Sequence, residues 1–283
     1  MPRSPSPHRY TKKAPTPAVV EALIFDWAGT LVDYGSFAPT QILVEAFAHF
    51  GLELNLKQAR SAMGKGKWDH IQHLLHLPPI QEQFYQQHQR SILLKDIDSI
   101  YAAFLPLQIA RVAHHSQAIA GARTSLLWAR SQGLKLGSCT GYPRSVMNEL
   151  LPHAEAQGLE LDLVVCSDEV SRARPWPAMA LENVSQLSIS HVAACVKIDD
   201  TVPGIQEGHA AGMWTVGLVL SGNACGLSWD AIQDLHENEL AQVRAQASQV
   251  LEVARPHYLI DSVADLPPVI RDIQTRLEQG ERP

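Results

Sequence analysis

Residues 20–35 read VEALIFDWAGTLVDYG, and they decide how the rest of the 283-residue chain is read. The stretch opens on an unbroken apolar, β-prone run, Ala22, Leu23, Ile24 and Phe25. A run without polar alternation reads as a strand buried on both faces, as in parallel sheets covered by helices. Asp26 stands at its carboxyl end, followed by Trp27, Ala28, Gly29 and Thr30. Ligands of open parallel α/β sheets bind just beyond the carboxyl ends of the strands. An acid there, followed by a glycine that lets backbone approach a ligand, points to chemistry on a phosphoryl group. An Asp capping the next segment is the plainer alternative.

Working outward, strand-type runs recur at 134–139, 163–166, 192–198, 214–220 and 257–260. Helical patterns at 122–132, 145–157, 178–187, 202–211 and 263–279 separate them. Alternation of this kind predicts an α/β fold with a doubly wound parallel sheet. Residues 39–115 are different: rich in Gln, His and Leu, with helical periodicity at 40–50, 67–77 and 97–112 and no strand. An all-helical cap domain inserted after the first strand is expected. The predicted division is a disordered tail at 1–17, a core domain at 18–34 and 116–283, and a cap at 35–115.

Composition narrows the function classes. Hydrophobic residues make up 46%, enough for a sizeable core, and the net charge of −6 argues against nucleic acid or an anionic membrane as partner. No apolar stretch approaches the roughly 20 residues that span a bilayer. The charged N-terminus lacks the apolar core of a signal peptide. The four cysteines (Cys139, Cys166, Cys195, Cys225) show no metal-type spacing and read as reduced and non-catalytic. A cytoplasmic protein is expected.

Three further strand ends carry polar groups. After Cys139 come Thr140 and Gly141, whose hydroxyl and free N–H could hold a phosphoryl oxygen, or could form an ordinary strand-to-helix turn. In SRARPWP, Arg174 precedes Pro175 and could neutralise phosphoryl charge, with Arg172 as a competitor. In VKIDDTVPG, Asp199 and Asp200 would repel without a cation, and hard oxygen ligands suit Mg²⁺. One of the two could instead cap the helix starting near Val202.

The joint order of these segments resembles the four motifs of the haloacid dehalogenase superfamily. The string FDWAGT-x-VDYG resembles its phosphonoacetaldehyde hydrolase (phosphonatase) family in particular. That resemblance implies that Asp26 attacks phosphorus to give an aspartyl-phosphate, a known carboxylate role. It implies that Thr140 and Arg174 hold the phosphoryl oxygens. Mg²⁺ would be held by Asp26, the main-chain carbonyl of Ala28 and an acid of the Asp199/Asp200 pair, Asp200 being preferred. An acid found four positions further on in some relatives is Gly204 here, which leaves Asp199 as a substitute.

Ala28 and the cap set the substrate class. A phosphatase must protonate an alkoxide leaving group, and Ala28 can supply no proton. In SAMGKGKWDHI, the string Met63-Gly64-x-x-Lys67-x-x-His70 resembles the phosphonatase cap motif, whose Lys forms a Schiff base with the substrate aldehyde. Spacings of four and three put Met63, Lys67 and His70 on one face if the segment is helical. Lys65 lies off that face. The plainer readings are a solvated Lys67, a surface His70 and a core Met63. A protonated imine would accept the electrons of the breaking carbon–phosphorus bond, so no acid at position 28 is needed. At an unperturbed pKa of about 10.4, on the order of one lysine in 2,500 is neutral at pH 7, so Lys67 needs a pKa of about 7–8, reached by desolvation. His70, with a near-neutral pKa, would shuttle protons. The resemblance further implies that Met63, Gly64, Gly141 and Tyr142 contact the substrate, phosphonoacetaldehyde, and that the protein is a homodimer. A phosphatase or phosphomutase of the same superfamily, or a non-catalytic binding member, are the rival readings.

Overall fold

Strand β1 (Ala22–Phe25) forms where the sequence predicts it, with all four residues buried. The computed structural model describes residues 19–283, and the expected 1–17 tail lies outside them. After β1 the chain leaves the sheet for five helices: α1 (Phe37–Ala48), α2 (Leu56–Arg60), α3 (Lys67–Leu75), α4 (Pro78–His88) and α5 (Leu94–Arg111). It returns through α6 (Ala122–Ser131), β2 (Lys135–Thr140), α7 (Arg144–Glu155), β3 (Leu163–Cys166), α8 (Ala178–Gln186) and β4 (Cys195–Asp199). Then follow α9 (Val202–Ala211), β5 (Trp214–Leu218), α10 (Trp229–Gln233), α11 (Glu237–Glu252), β6 (Tyr258–Ile260) and α12 (Leu266–Glu278).

The six strands form one parallel sheet in the order β3-β2-β1-β4-β5-β6. Alternation along β1 explains its uniform apolarity. Leu23 and Phe25 point into the core under α6, α7 and α12, whereas Ala22 and Ile24 point into the core under α8. Strand order reverses between β1 and β4, and this reversal opens the crevice in which such sheets bind ligands. Asp26 leaves β1 at that point, and Asp199 ends β4 beside it.

The inserted helices have an apolar core of their own, including Leu43, Phe47, Leu74, Phe84, Ile100 and Phe104, which shares no residue with the sheet cores. Two linkers join them to the sheet. Asp33 donates its N–H to the Gln117 carbonyl (3.2 Å), and Ile119 donates to the Leu31 carbonyl (2.9 Å). The Asp33 carboxylate accepts from the Ala38 N–H at 2.9 Å and faces His115 Nδ1 at 3.3 Å.

The structure departs from the sequence expectation in several places. Residues 192–194 form a 3-10 turn rather than the start of β4, because the His191 ring accepts the Ala193 N–H (3.0 Å) and turns the chain. Pairing of β5 becomes irregular after Leu218, where Val219 and Leu220 donate to Ile260 and Asp261. Helices α2, α4, α10 and α11 are additions to the sequence reading. Helix α11 carries Leu240, Val243, Ala247 and Leu251 at helical spacing, but only Ala247 and Leu251 are buried, so its apolar stripe is thin.

Phe104 is fully buried at the centre of the cap core. Phe104→Ala is expected to cost about 3–5 kcal/mol of cap stability, read by chemical denaturation. An unchanged transition would contradict the independent cap core.

Candidate active site

Every strand that ends at the crevice delivers a polar group to it. Around them runs a buried ionic network centred on Arg174, which the loop between β3 and α8 carries and which is 2% exposed. Its guanidinium donates from Nη1 to Asp26 Oδ1 (2.8 Å), from Nε to Glu207 Oε2 (2.9 Å) and from Nη2 to the Cys139 carbonyl (2.5 Å). Asp199 Oδ2 lies 3.2 Å from Nη2. Lys197, from the middle of β4, donates to the same Asp199 oxygen at 2.5 Å. Arg172, the competitor, instead stacks its guanidinium 3.8 Å from the Trp176 ring centroid.

The two neighbouring acids have different surroundings. Asp199 is saturated: Oδ1 accepts from the Thr201 N–H (3.0 Å) and hydroxyl (2.7 Å), and Oδ2 from Lys197 and Arg174. Burial alone would raise its pKa, but Arg174 and Lys197 outweigh burial and hold it below the usual carboxylate range. Thr201, rather than either acid, caps α9 by accepting the Gly204 N–H. Asp200 accepts only the Asn223 N–H on Oδ2 (2.7 Å), and its buried Oδ1 has no partner. Burial, and then the charges of Asp26 and Asp199, push Asp200 well above the carboxylate range. Burial and Asp199 also raise Asp26 to about 6, against the pull of Arg174 and Lys197.

This cluster suits a cation. Asp26, Asp199 and Asp200 offer oxygens within 4.8 Å of one another and could hold a metal ion. Four buried carboxylates (Asp26, Asp199, Asp200, Glu207) face two buried cations in the network, Arg174 and Lys197. A divalent ion would balance the surplus, and the unpartnered Asp200 Oδ1 is the oxygen left to receive it. Two glycines keep the space clear. A Cβ on Gly29, at φ +82°, would meet Asp200 Oδ2 at 2.2 Å, and one on Gly204 would meet Asp199 Oδ2 at 1.9 Å. Asp199 thus occupies the room that a side chain at position 204 would need.

The cap closes over this cluster. A cavity of about 20 Å³, with room for roughly one water molecule, is lined by Asp26, Ala28, Thr140, Arg174 and Asp200 from below and by Met63, Gly64 and Lys67 from above. The Thr140 hydroxyl accepts the Tyr142 N–H (3.1 Å) and keeps its own proton to donate. Gly141 and Gly64 are contact points: a Cβ on either would strike the opposite side, Lys65 O at 2.6 Å and Thr201 Oγ1 at 2.2 Å. Lys67 Nζ faces Met63 Sδ at 3.7 Å and the Tyr142 ring at 5.4 Å, not a paired carboxylate. Burial brings its pKa down to about 8, against the opposing field of Asp26. Lys65 lines only a wider outer cleft of about 800 Å³, which Lys67 and Arg174 also border.

Two cap expectations are corrected. Met63 is not on the helix of Lys67 and His70, because Gly64 sits at φ +94° and α3 begins only at Lys67. The turn nevertheless returns the Met63 sulfur to Lys67. His70 is fully buried rather than near-neutral: burial, then the Lys67 charge, hold its pKa well below 6.5, and neither ring nitrogen has a partner of good geometry. Lys197 and Glu207 were missed from the sequence. Their signal was a lysine inside an otherwise apolar strand and a glutamate on the buried face of α9.

Below its pKa Lys67 is an ammonium ion, and above it a free amine. Nitrogen NMR of labelled lysine is expected to show one Nζ titrating near pH 8 and absent in Lys67→Met. A Lys67 midpoint above about 10, the unperturbed value, would contradict the desolvated site.

Comparison with known proteins agrees with this geometry. The family profile of the haloacid dehalogenase-like hydrolases matches residues 20–212. The phosphonoacetaldehyde hydrolase of Bordetella pertussis is 55% identical over 270 residues, covering 95% of this chain and 98% of that one. That of Pseudomonas aeruginosa PAO1 is 52% identical over 267 residues, covering 94% and 97%. The crystal structure of a phosphonoacetaldehyde hydrolase-like protein from Oleispira antarctica superposes with a TM-score of 0.94 at 40% identity, covering 98% of this chain and 100% of that one. A β-phosphoglucomutase from Clostridium difficile, 16% identical with a TM-score of 0.63, covers 91% and 98% and shares the fold alone. The chain belongs to the haloacid dehalogenase-like hydrolases and, within them, to the phosphonoacetaldehyde hydrolase family.

Proposed function

We propose that the protein hydrolyses phosphonoacetaldehyde to acetaldehyde and phosphate, with Lys67 as the imine-forming amine and Asp26 as the nucleophile. The observation that carries this reading is a buried Lys67, with its pKa near 8, lining the same small cavity as Asp26 while Ala28 supplies no acid. Free Lys67 attacks the aldehyde carbon, and the resulting carbinolamine takes up one proton and loses one water to give the protonated imine. His70, one helical turn away and held well below the range of a near-neutral shuttle, stays a neutral ring that helps keep Lys67 desolvated.

Asp26 then attacks phosphorus. The carbon–phosphorus bond breaks, its electrons pass to the iminium nitrogen, and an enamine and an aspartyl-phosphate result. Protonation of the enamine carbon and addition of water release acetaldehyde and restore Lys67. A second water cleaves the aspartyl-phosphate to phosphate and Asp26. One water is consumed overall. Arg174 and Thr140 hold phosphoryl oxygens, and the Gly64, Gly141, Met63 and Tyr142 surfaces exclude water from the imine. Asp26, Asp200 and the Ala28 carbonyl would hold Mg²⁺, which would supply charge neutralisation for the phosphoryl group. Asp199, with both oxygens engaged, fixes Arg174 and Lys197 rather than joining the ion directly. The homodimer rests on the family resemblance, and the cytoplasmic setting on the scattered cysteines and the N-terminus without an apolar signal-peptide core.

The test is acetaldehyde release from phosphonoacetaldehyde, coupled to alcohol dehydrogenase, with Mg²⁺ and with chelator. Activity is expected only with Mg²⁺, and Lys67→Arg is expected to lose at least about 10³-fold, since a guanidinium keeps the charge but forms no imine. Turnover of phosphate esters in place of phosphonoacetaldehyde, or near-normal Lys67→Arg, would overturn the assignment.

A further inference from the structure

The loop 221–226, between β5 and α10, packs behind Asp200 and the turn that follows Asp26. Its Ser221 hydroxyl donates to the Gly29 carbonyl (2.8 Å), directly behind the nucleophile turn. Gly222 packs so closely on Asp200 that a Cβ there would meet Asp200 Cβ at 2.3 Å. The Asn223 N–H makes the one hydrogen bond given to Asp200, on Oδ2. How firmly this loop sits therefore decides where the unpartnered Oδ1 points.

On the other side of the loop lies a cap residue. Arg60, at the end of α2, donates from Nη1 to Asn223 Oδ1 (3.2 Å) and to the Gly35 carbonyl in the first linker (2.7 Å). Its Nη2 reaches the Gly226 carbonyl (3.4 Å), and Asn223 Nδ2 returns a bond to the Arg60 carbonyl (3.4 Å). The guanidinium also stacks 5.1 Å from the Phe37 ring centroid. One half-buried cation thus grips both ends of the loop and the hinge at once. A charged fork on neutral carbonyls is geometrically selective, and these bonds tie the cap helix α2 to the loop and to the linker.

We propose that Arg60 is a positioning residue that couples cap closure to the metal-site acid, clamping loop 221–226 so that Asn223 fixes Asp200 with Oδ1 free for a divalent cation. The inference rests on the acid cluster being the cation site. Coupling between sites is reciprocal, so cation binding must favour the closed cap by the same factor. Opening the cap to admit substrate would then loosen the ion's ligand, and closure would restore it.

The test compares wild type, Arg60→Ala, Arg60→Lys and Asn223→Ala in two readouts without substrate. Calorimetry gives the Mg²⁺ affinity, and hydrogen exchange of the linkers 33–36 and 112–117 reports closure. Mg²⁺ is expected to slow linker exchange in wild type. Arg60→Ala is expected to bind Mg²⁺ about tenfold more weakly, within the usual range for coupled sites, and to lose that protection. Arg60→Lys should recover only part of both. Asn223→Ala, which keeps the main-chain N–H on Asp200 but removes one of the Arg60 anchors on the loop, should weaken Mg²⁺ in the same direction by a smaller factor, and the double variant no further than Arg60→Ala. Should Arg60→Ala fail to fold, Asn223→Ala carries the same comparison. Wild-type Mg²⁺ affinity in a folded Arg60→Ala, or linkers indifferent to Mg²⁺ in wild type, would overturn the coupling. Wild-type protein that turns over no phosphonoacetaldehyde yet shows Mg²⁺ protection lost in Arg60→Ala would sink the substrate assignment and leave the latch standing.

Discussion

Four carboxylates share the dry crevice where strand order reverses, and their mutual repulsion is the constraint around which the structure is arranged. Taking charges out of water is expensive, and burying several of one sign is tolerable only if each finds a partner. Arg174 and Lys197 supply two partners, and both are as buried as the acids they serve. Asp199 takes the larger share of that compensation. Asp200 receives a single main-chain N–H among the described residues and stays poorly compensated, so a cation bound there would relieve it most. The parallel sheet contributes the geometry: β1 and β4 are neighbours in register, so Asp26 and the Asp199/Asp200 pair emerge side by side.

The cap solves a different problem. An amine at its ordinary pKa is almost wholly protonated near neutral pH, and burial against sulfur and an aromatic ring brings Lys67 down to about 8, where on the order of one in ten is free at pH 7. The inner cavity between Lys67 and Asp26 has room for roughly one water molecule. Ala28 completes the logic: with an imine to accept the electrons, an acid beside the nucleophile has no task.

Much of this was legible in the sequence because parallel strands buried on both faces read as continuous apolar runs. Asp26, Thr140 and the Asp199/Asp200 pair follow such runs directly, and the helical insertion was visible as a loss of strand signal. Other features were not legible because they depend on contacts across the fold. Lys197 and Glu207 look like ordinary charged residues until Arg174, distant in sequence, is placed between them. The 63/67/70 spacing suggested one helix, but glycine conformations at Gly64 and Gly66 break it, and only the turn's return path restores the Met63–Lys67 contact. His70 resembled a near-neutral shuttle, yet burial makes it a neutral ring. Loop 221–226 carried no motif, and its importance comes wholly from what it touches.

The central claim is that Lys67 bonds covalently to the substrate. The most direct measurement is borohydride reduction during incubation with phosphonoacetaldehyde, followed by peptide mass spectrometry. The account predicts a phosphonoethyl or ethyl adduct on Lys67, with loss of activity in proportion to labelling. No adduct in active protein, or an adduct on Lys65 with Lys67 unmodified, would contradict it.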